Sequence, residues 1–126
     1  MSLIINSTEI IFLIVQVLAV LFLAILFLQS GIDKVLYKKE NLEWLISHFA
    51  ESPLKNFVPV LFLTITVVEL LSGILNLFGV VFLLFDGSLT LALYGTILAS
   101  IALIMLFFGQ RMAKDYVGAQ SLVSYF

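Results

Sequence analysis

The chain contains no cysteine, so disulfides, CxxC redox chemistry, iron–sulfur clusters and thiolate zinc sites are excluded. It has a single histidine, His48, which leaves an all-protein haem or zinc centre without a ligand set. Its nearest acid on the same helical face is Glu51 at i+3, a poor metal pair, and His48 reads as an interfacial side chain. Charge is scarce as well, at 11% of residues, against about 25% in a soluble domain. Six Lys plus Arg face eight Asp plus Glu, for a formal charge of −2, which is no footprint for nucleic acid. What is abundant is apolar surface: 63% of the 126 residues are hydrophobic. That proportion belongs to a membrane protein. Three spans of about 20 residues take up about half the chain and a fourth, with the connecting loops, leaves no room for a second domain, so residues 1–126 form one transmembrane domain.

Three runs are long enough to cross. The first is residues 10–28, broken only by Gln16, with Ser7 or Thr8 placed to cap it. No Lys or Arg precedes it, so it reads as a permanent span rather than a cleaved leader. The second covers residues 57–78, with Pro59 near its start, where a missing N–H costs little. The third covers residues 89–108. Between the last two, Val80 to Phe85 is too short to span and Asp86-Gly87 is a turn signal, which predicts a tight hairpin with a greasy approach. Residues 31–51 differ in kind. Ile32, Val35, Leu36, Leu42, Leu45, Ile46 and Phe49 fall on a helical period among charged residues, with Tyr37 and Trp44 as anchors. This predicts an amphipathic interfacial helix, interrupted near residues 39–41 and ended by Ser52-Pro53. The fold class is therefore all-α: a small antiparallel transmembrane bundle with an interfacial helix between spans one and two.

Lys34, Lys38, Lys39 and Lys55 lie between the first two spans, and Arg111 and Lys114 follow the third. The positive-inside rule then places the first loop and the carboxyl terminus in the cytoplasm and the amino terminus outside. Asn6-Ser7-Thr8 matches a glycosylation sequon, a pattern short enough to arise by chance.

Inside the second span stands Glu69. Counting depth along each span at 1.5 Å per residue puts Gln16, Glu69, Tyr94 and Thr96 in one layer. An acid there costs on the order of 2.5–3.5 kcal/mol at a helix centre, so it is expected to be buried, protonated and hydrogen-bonded to Gln16 or Tyr94. Ser72, Gly73 and Asn76, at i+3, i+4 and i+7, extend one polar, small-residue face from it. In span three Ala92, Thr96 and Ser100 recur every four residues beside Gly95, Ala99 and Ala102, a spacing that favours close helix packing. The first and third spans end on the same side, so Asp33 is expected to meet Arg111. Helical continuation would pair Gln110 with Lys114 and Arg111 with Asp115, each worth a few tenths of a kcal/mol when exposed. A rim of Gly31, Asp33, Lys34, Arg111, Lys114, Asp115 and Tyr116 suits an anionic head group or a partner's loop.

Three segments carry a resemblance: Ser-Gly-x-Asp-Lys at residues 30–34, Glu69-Leu70-Leu71-Ser72-Gly73, and Gly-Gln-Arg-x-x-Lys-Asp-Tyr-x-Gly-Ala at residues 109–119. In order and spacing the chain resembles the DoxX-like family of small bacterial integral membrane proteins. The resemblance implies a four-helix bundle in the bacterial inner membrane and an accessory or anchoring place in redox systems such as thiosulfate:quinone oxidoreductase. Gly31, Lys34, Glu69, Gly73, Gly109, Arg111, Asp115 and Tyr116 carry over as motif residues without a catalytic role. Residues 118–126 are too few for the family's last span. Either this version lacks that helix, leaving an apolar groove for a partner, or the native product continues further.

Three functions compete. The favoured one is a noncatalytic subunit that packs with or recruits larger membrane partners and carries no cofactor of its own. The second is a quinone-associated component in which Gln16, Glu69 and Tyr94 bind the quinone oxygens and a partner carries the electrons. The third, transport of protons or a small solute, requires an oligomer to complete a polar path.

Overall fold

The computed structural model describes residues 7–112. Four α-helices, and no strand, occur among them: α1 (Ser7–Leu36), α2 (Lys38–His48), α3 (Val58–Phe85) and α4 (Thr90–Met112), with a 3-10 turn at Lys55–Phe57 ahead of α3. Three of these, α1, α3 and α4, are long and apolar enough to cross a bilayer. The protein is an all-α membrane protein with a shorter helix between its first two spans.

Two boundaries differ from the sequence reading, for one reason. In an apolar medium each backbone N–H and C=O needs an internal partner, so a helix continues until something breaks it and not merely until hydropathy falls. No proline lies between Leu28 and Leu36, and α1 runs on to Leu36. Residues 31–36 are therefore the end of the first span and not the start of the interfacial helix. The break falls at Tyr37 (φ −115, ψ 41), ahead of the expected residues 39–41. There the Asn41 side chain donates to the Tyr37 carbonyl at 2.9 Å. The interfacial helix shrinks to α2, none of whose residues is fully buried. Likewise Val80 to Phe85 continues α3, and the turn is confined to the residues after it. Gly87 adopts φ +69 and donates its N–H to the Leu83 carbonyl at 3.2 Å, the left-handed close that a Cβ disfavours.

The buried residues of α3 show how the spans pack. Val58, Phe62, Ile65, Glu69, Ser72, Asn76, Gly79 and Leu83 are all buried and alternate four and three positions apart. This is the 3.5-residue repeat of a helix laid along its neighbours. Val20, Ala24, Phe27 and Gly31 repeat the pattern on α1, and Ala92, Gly95, Ala99 and Ala102 repeat it on α4. Thr96 is exposed and Ser100 half-buried, so the packing face of α4 is this stripe and not the four-residue series through Thr96. Helix α3 lies between the other two, and Phe27 closes the core against Ile65, Ala99, Ala102 and Leu103.

Glycines set the register. A Cβ on Gly31 would lie 2.6 Å from Leu70 Cδ2, and one on Gly73 would lie 2.8 Å from the Leu28 backbone nitrogen. Between α3 and α4, a Cβ on Gly79 would fall 2.8 Å from Ala92 Cα. Backbones this close admit no side chain between them. The α1–α3 register places Leu28 beside Gly73, 16 residues or about 24 Å along α3 from Phe57.

Candidate functional site

That register disperses the expected polar layer. Glu69 is 1% exposed, but Tyr94 is 59% exposed on the outside of α4. Thr96 is exposed too and donates back to the Ala92 carbonyl of its own helix at 2.8 Å. Gln16 is half-buried near the far end of α1, about 27 Å along the helix from Lys34. The depth count had set Leu28 level with the start of α3, and the glycine contacts overrule it.

The partner of Glu69 is Lys34, whose Nζ lies 2.8 Å from Glu69 Oε1, with Lys34 only 16% exposed. The same ammonium donates to Ser30 Oγ at 2.8 Å. Glu69 Oε2 is buried without a hydrogen-bond donor. Lys34, on another span, thus stands where the sequence reading expects Gln16 or Tyr94 as the partner of Glu69. Sequence reasoning placed Lys34 on the rim alone, although a signal was present. Lys34 continues the buried series Val20, Ala24, Phe27, Gly31 by three more residues, which points it along the stripe toward α3. Gly31 against Leu70 and Gly73 against Leu28 bring the two backbones together beside the pair. The segments at residues 30–34 and 69–73 therefore meet in space.

One turn further along α3, a second polar contact joins α3 to α4. Ser72 Oγ donates to the Gly95 carbonyl at 3.1 Å. Asn76 Nδ2 donates to the Ser72 carbonyl at 2.7 Å and contacts Ser72 Oγ at 3.2 Å. Gly95 leaves room for the Asn76 side chain, which a Cβ there would meet at 2.8 Å. The face read from Glu69 through Ser72, Gly73 and Asn76 is buried throughout.

The rim assembles differently from expectation. Asp33 is exposed and accepts from Asn41 Nδ2 at 3.4 Å in place of the Arg111 contact. Arg111 lies exposed near the end of α4. Lys114, Asp115 and Tyr116, with the Gln110–Lys114 and Arg111–Asp115 pairs and the tail at 118–126, lie outside the described residues, as does Asn6 of the sequon. His48 stacks on Trp44, with ring centroids 4.5 Å apart. Among the described residues no three His, Cys, Asp or Glu side chains gather to hold a metal.

Lys34 also lines a cavity of about 330 Å³ under α2, walled mainly by apolar side chains of α2, α3 and α4. The site is thus a buried ion pair whose lysine also lines an apolar chamber. Such an arrangement can orient a polar head group or hold a fixed dipole between spans. Compared with known protein families, characterised proteins and solved structures, the chain matches none.

Proposed function

We propose that the chain is a small noncatalytic subunit of DoxX-like type that packs with a larger partner in a complex of the bacterial inner membrane. Electron transfer, where the complex performs it, belongs to the partner. The observation that carries this reading is the bare end of α1. Every residue from Ser7 to Val15 is exposed, including Ile10, Ile11, Phe12, Leu13, Ile14 and Val15 on all sides of the helix, because α3 ends before it can cover them. An exposed stretch that is apolar all round, as residues 10–15 are, suits a groove in another membrane protein. The meeting of residues 30–34 with residues 69–73 supports the family resemblance, since two of its three segments then form one structural unit. The loop lysines support an orientation with α2 in the cytoplasm.

Isolation from native membranes in mild detergent tests the reading. A stoichiometric membrane protein is expected to accompany the chain and to be lost when Ile11, Phe12 and Val15 are all changed to Ala. A chain that emerges alone, or keeps its companion in that variant, overturns it.

A further inference from the structure

The chamber under α2 has a volume of about 330 Å³, within the range of about 300–1,000 Å³ of small-molecule sites. It opens to the surface beside Trp44 and Phe108, both exposed. Its apolar wall includes Phe49 just after α2, Phe62 and Ile65 of α3, and Met105 and Leu106 of α4. Four polar side chains line it, Lys34, Asn41, His48 and Gln110; Asn41 already donates to the Tyr37 carbonyl and His48 stacks on Trp44, so Lys34 and Gln110 are the two that bear on its ligand. Lys34 is on the wall, and so is Gln110, whose Oε1 is buried and accepts no hydrogen bond among the described residues. Over the chamber lies α2, a helix with no fully buried residue, so the roof can be displaced without breaking a packed core.

We infer that this chamber binds a single-chain amphiphile with an uncharged, hydroxyl-bearing head group. Charge decides the head. The Lys34 ammonium is already balanced by Glu69 at 2.8 Å, so the site offers a neutral pair. A carboxylate or phosphate entering beside it adds a second negative charge next to Glu69, and an ammonium adds a second positive charge next to Lys34. A hydroxyl opposes neither. Its O–H donates to Gln110 Oε1, which needs a donor. Its oxygen accepts the ammonium hydrogen that Ser30 and Glu69 leave over, since lysine has three. The tail lies against the aromatic and aliphatic wall, where Met105 adapts to its shape. This proposal rests on the chamber and its polar groups alone and stands or falls independently of the partner reading.

The chain carries one tryptophan, Trp44, and it lines the chamber. Terminally brominated dodecanol, dodecanoate and dodecyltrimethylammonium are added to the full chain in nanodiscs, and quenching of Trp44 is followed. Saturable quenching by the alcohol is expected, relieved by unbrominated dodecanol, with a midpoint about tenfold below that of either charged probe. Gln110→Leu is expected to weaken the alcohol about fivefold and to leave the charged probes unchanged. Ile65→Phe, which fills the chamber, is expected to abolish saturation. Leu106→Phe serves the same purpose if the first variant fails to insert. Quenching that rises linearly and equally for all three probes overturns the proposal, because it reports the bilayer alone. Tighter binding of the carboxylate overturns it too. So does saturable quenching by a brominated phospholipid that dodecanol does not displace, since the chamber then belongs to bulk lipid.

Discussion

Glu69 and Lys34 are both largely withdrawn from water, and each is the other's charge partner at 2.8 Å. Their value as a pair differs from the cost of separating them. Two desolvated charges gain little net stability from meeting, but one left without the other is destabilising by about 3–5 kcal/mol. Glu69→Ala and Lys34→Met are therefore each expected to lower stability by about 3–5 kcal/mol in detergent-induced unfolding, while Lys34→Met combined with Glu69→Leu recovers most of the loss. Additive losses in the double variant would show that the two act independently. The Ser72–Asn76 contact is a milder case. Ser72→Ala removes one donor to the Gly95 carbonyl and one neighbour of the Asn76 amide, and is expected to cost about 0.6–1.7 kcal/mol, the scale of interhelical hydrogen bonds in membranes. A loss as large as that of the charge variants would mean that the hydroxyl organises the whole interface.

At the scale of elements, the three spans were legible as apolar runs, and the buried face of α3 was legible from the spacing of Glu69, Ser72, Gly73 and Asn76. What the runs did not give was register. Depth counted from the ends of apolar runs assumes that those ends lie level, whereas the helices slide until glycines meet backbone. That slide moved Glu69 away from Gln16 and Tyr94 and toward Lys34, a residue whose charge had excluded it from the span. The same hydropathy criterion ended α1 at Leu28 and α3 at Phe78, although a helix in an apolar medium has no reason to stop there. If glycine contacts set the register, their substitution is expected to be graded by what the new methyl meets. Gly79→Ala places Cβ 2.8 Å from Ala92 Cα, and neither backbone can move alone, so about 1–3 kcal/mol of destabilisation is expected. Gly109→Ala places Cβ 3.5 Å from Phe49 Cζ, an ordinary contact, and the gain in helix propensity of about 0.5–1 kcal/mol should show as unchanged or raised thermal stability. Equal effects at the two positions would remove close approach as the determinant of register.

The whole molecule is a staggered sheaf in which α3 is covered from two sides and α1 hardly at all. In their most apolar stretches, 39% of α3 is buried but only 17% of α1. The stagger leaves α2 and the end of α4 at one face and the turn after α3 at the other, so the orientation of the whole chain reduces to which face carries the lysines. Lys38 and Lys39 sit at the start of α2 and Lys55 just before α3, while the turn between α3 and α4 carries only Asp86 as charge. Moving lysines outward across an energised membrane is opposed, which is why the proposed orientation keeps the loop that holds them on the cytoplasmic side. The absence of native cysteine makes this directly measurable, since any introduced thiol is the only one. In intact cells a membrane-impermeant maleimide is expected to label Ser88→Cys and to leave Lys39→Cys unmodified until the membrane is permeabilised. Labelling of Lys39→Cys from outside, with Ser88→Cys protected, would invert the protein. It would also turn the ion pair, the chamber and the Trp44–His48 stack to the opposite face, so that an amphiphile would enter the chamber from the outer leaflet instead of the inner one.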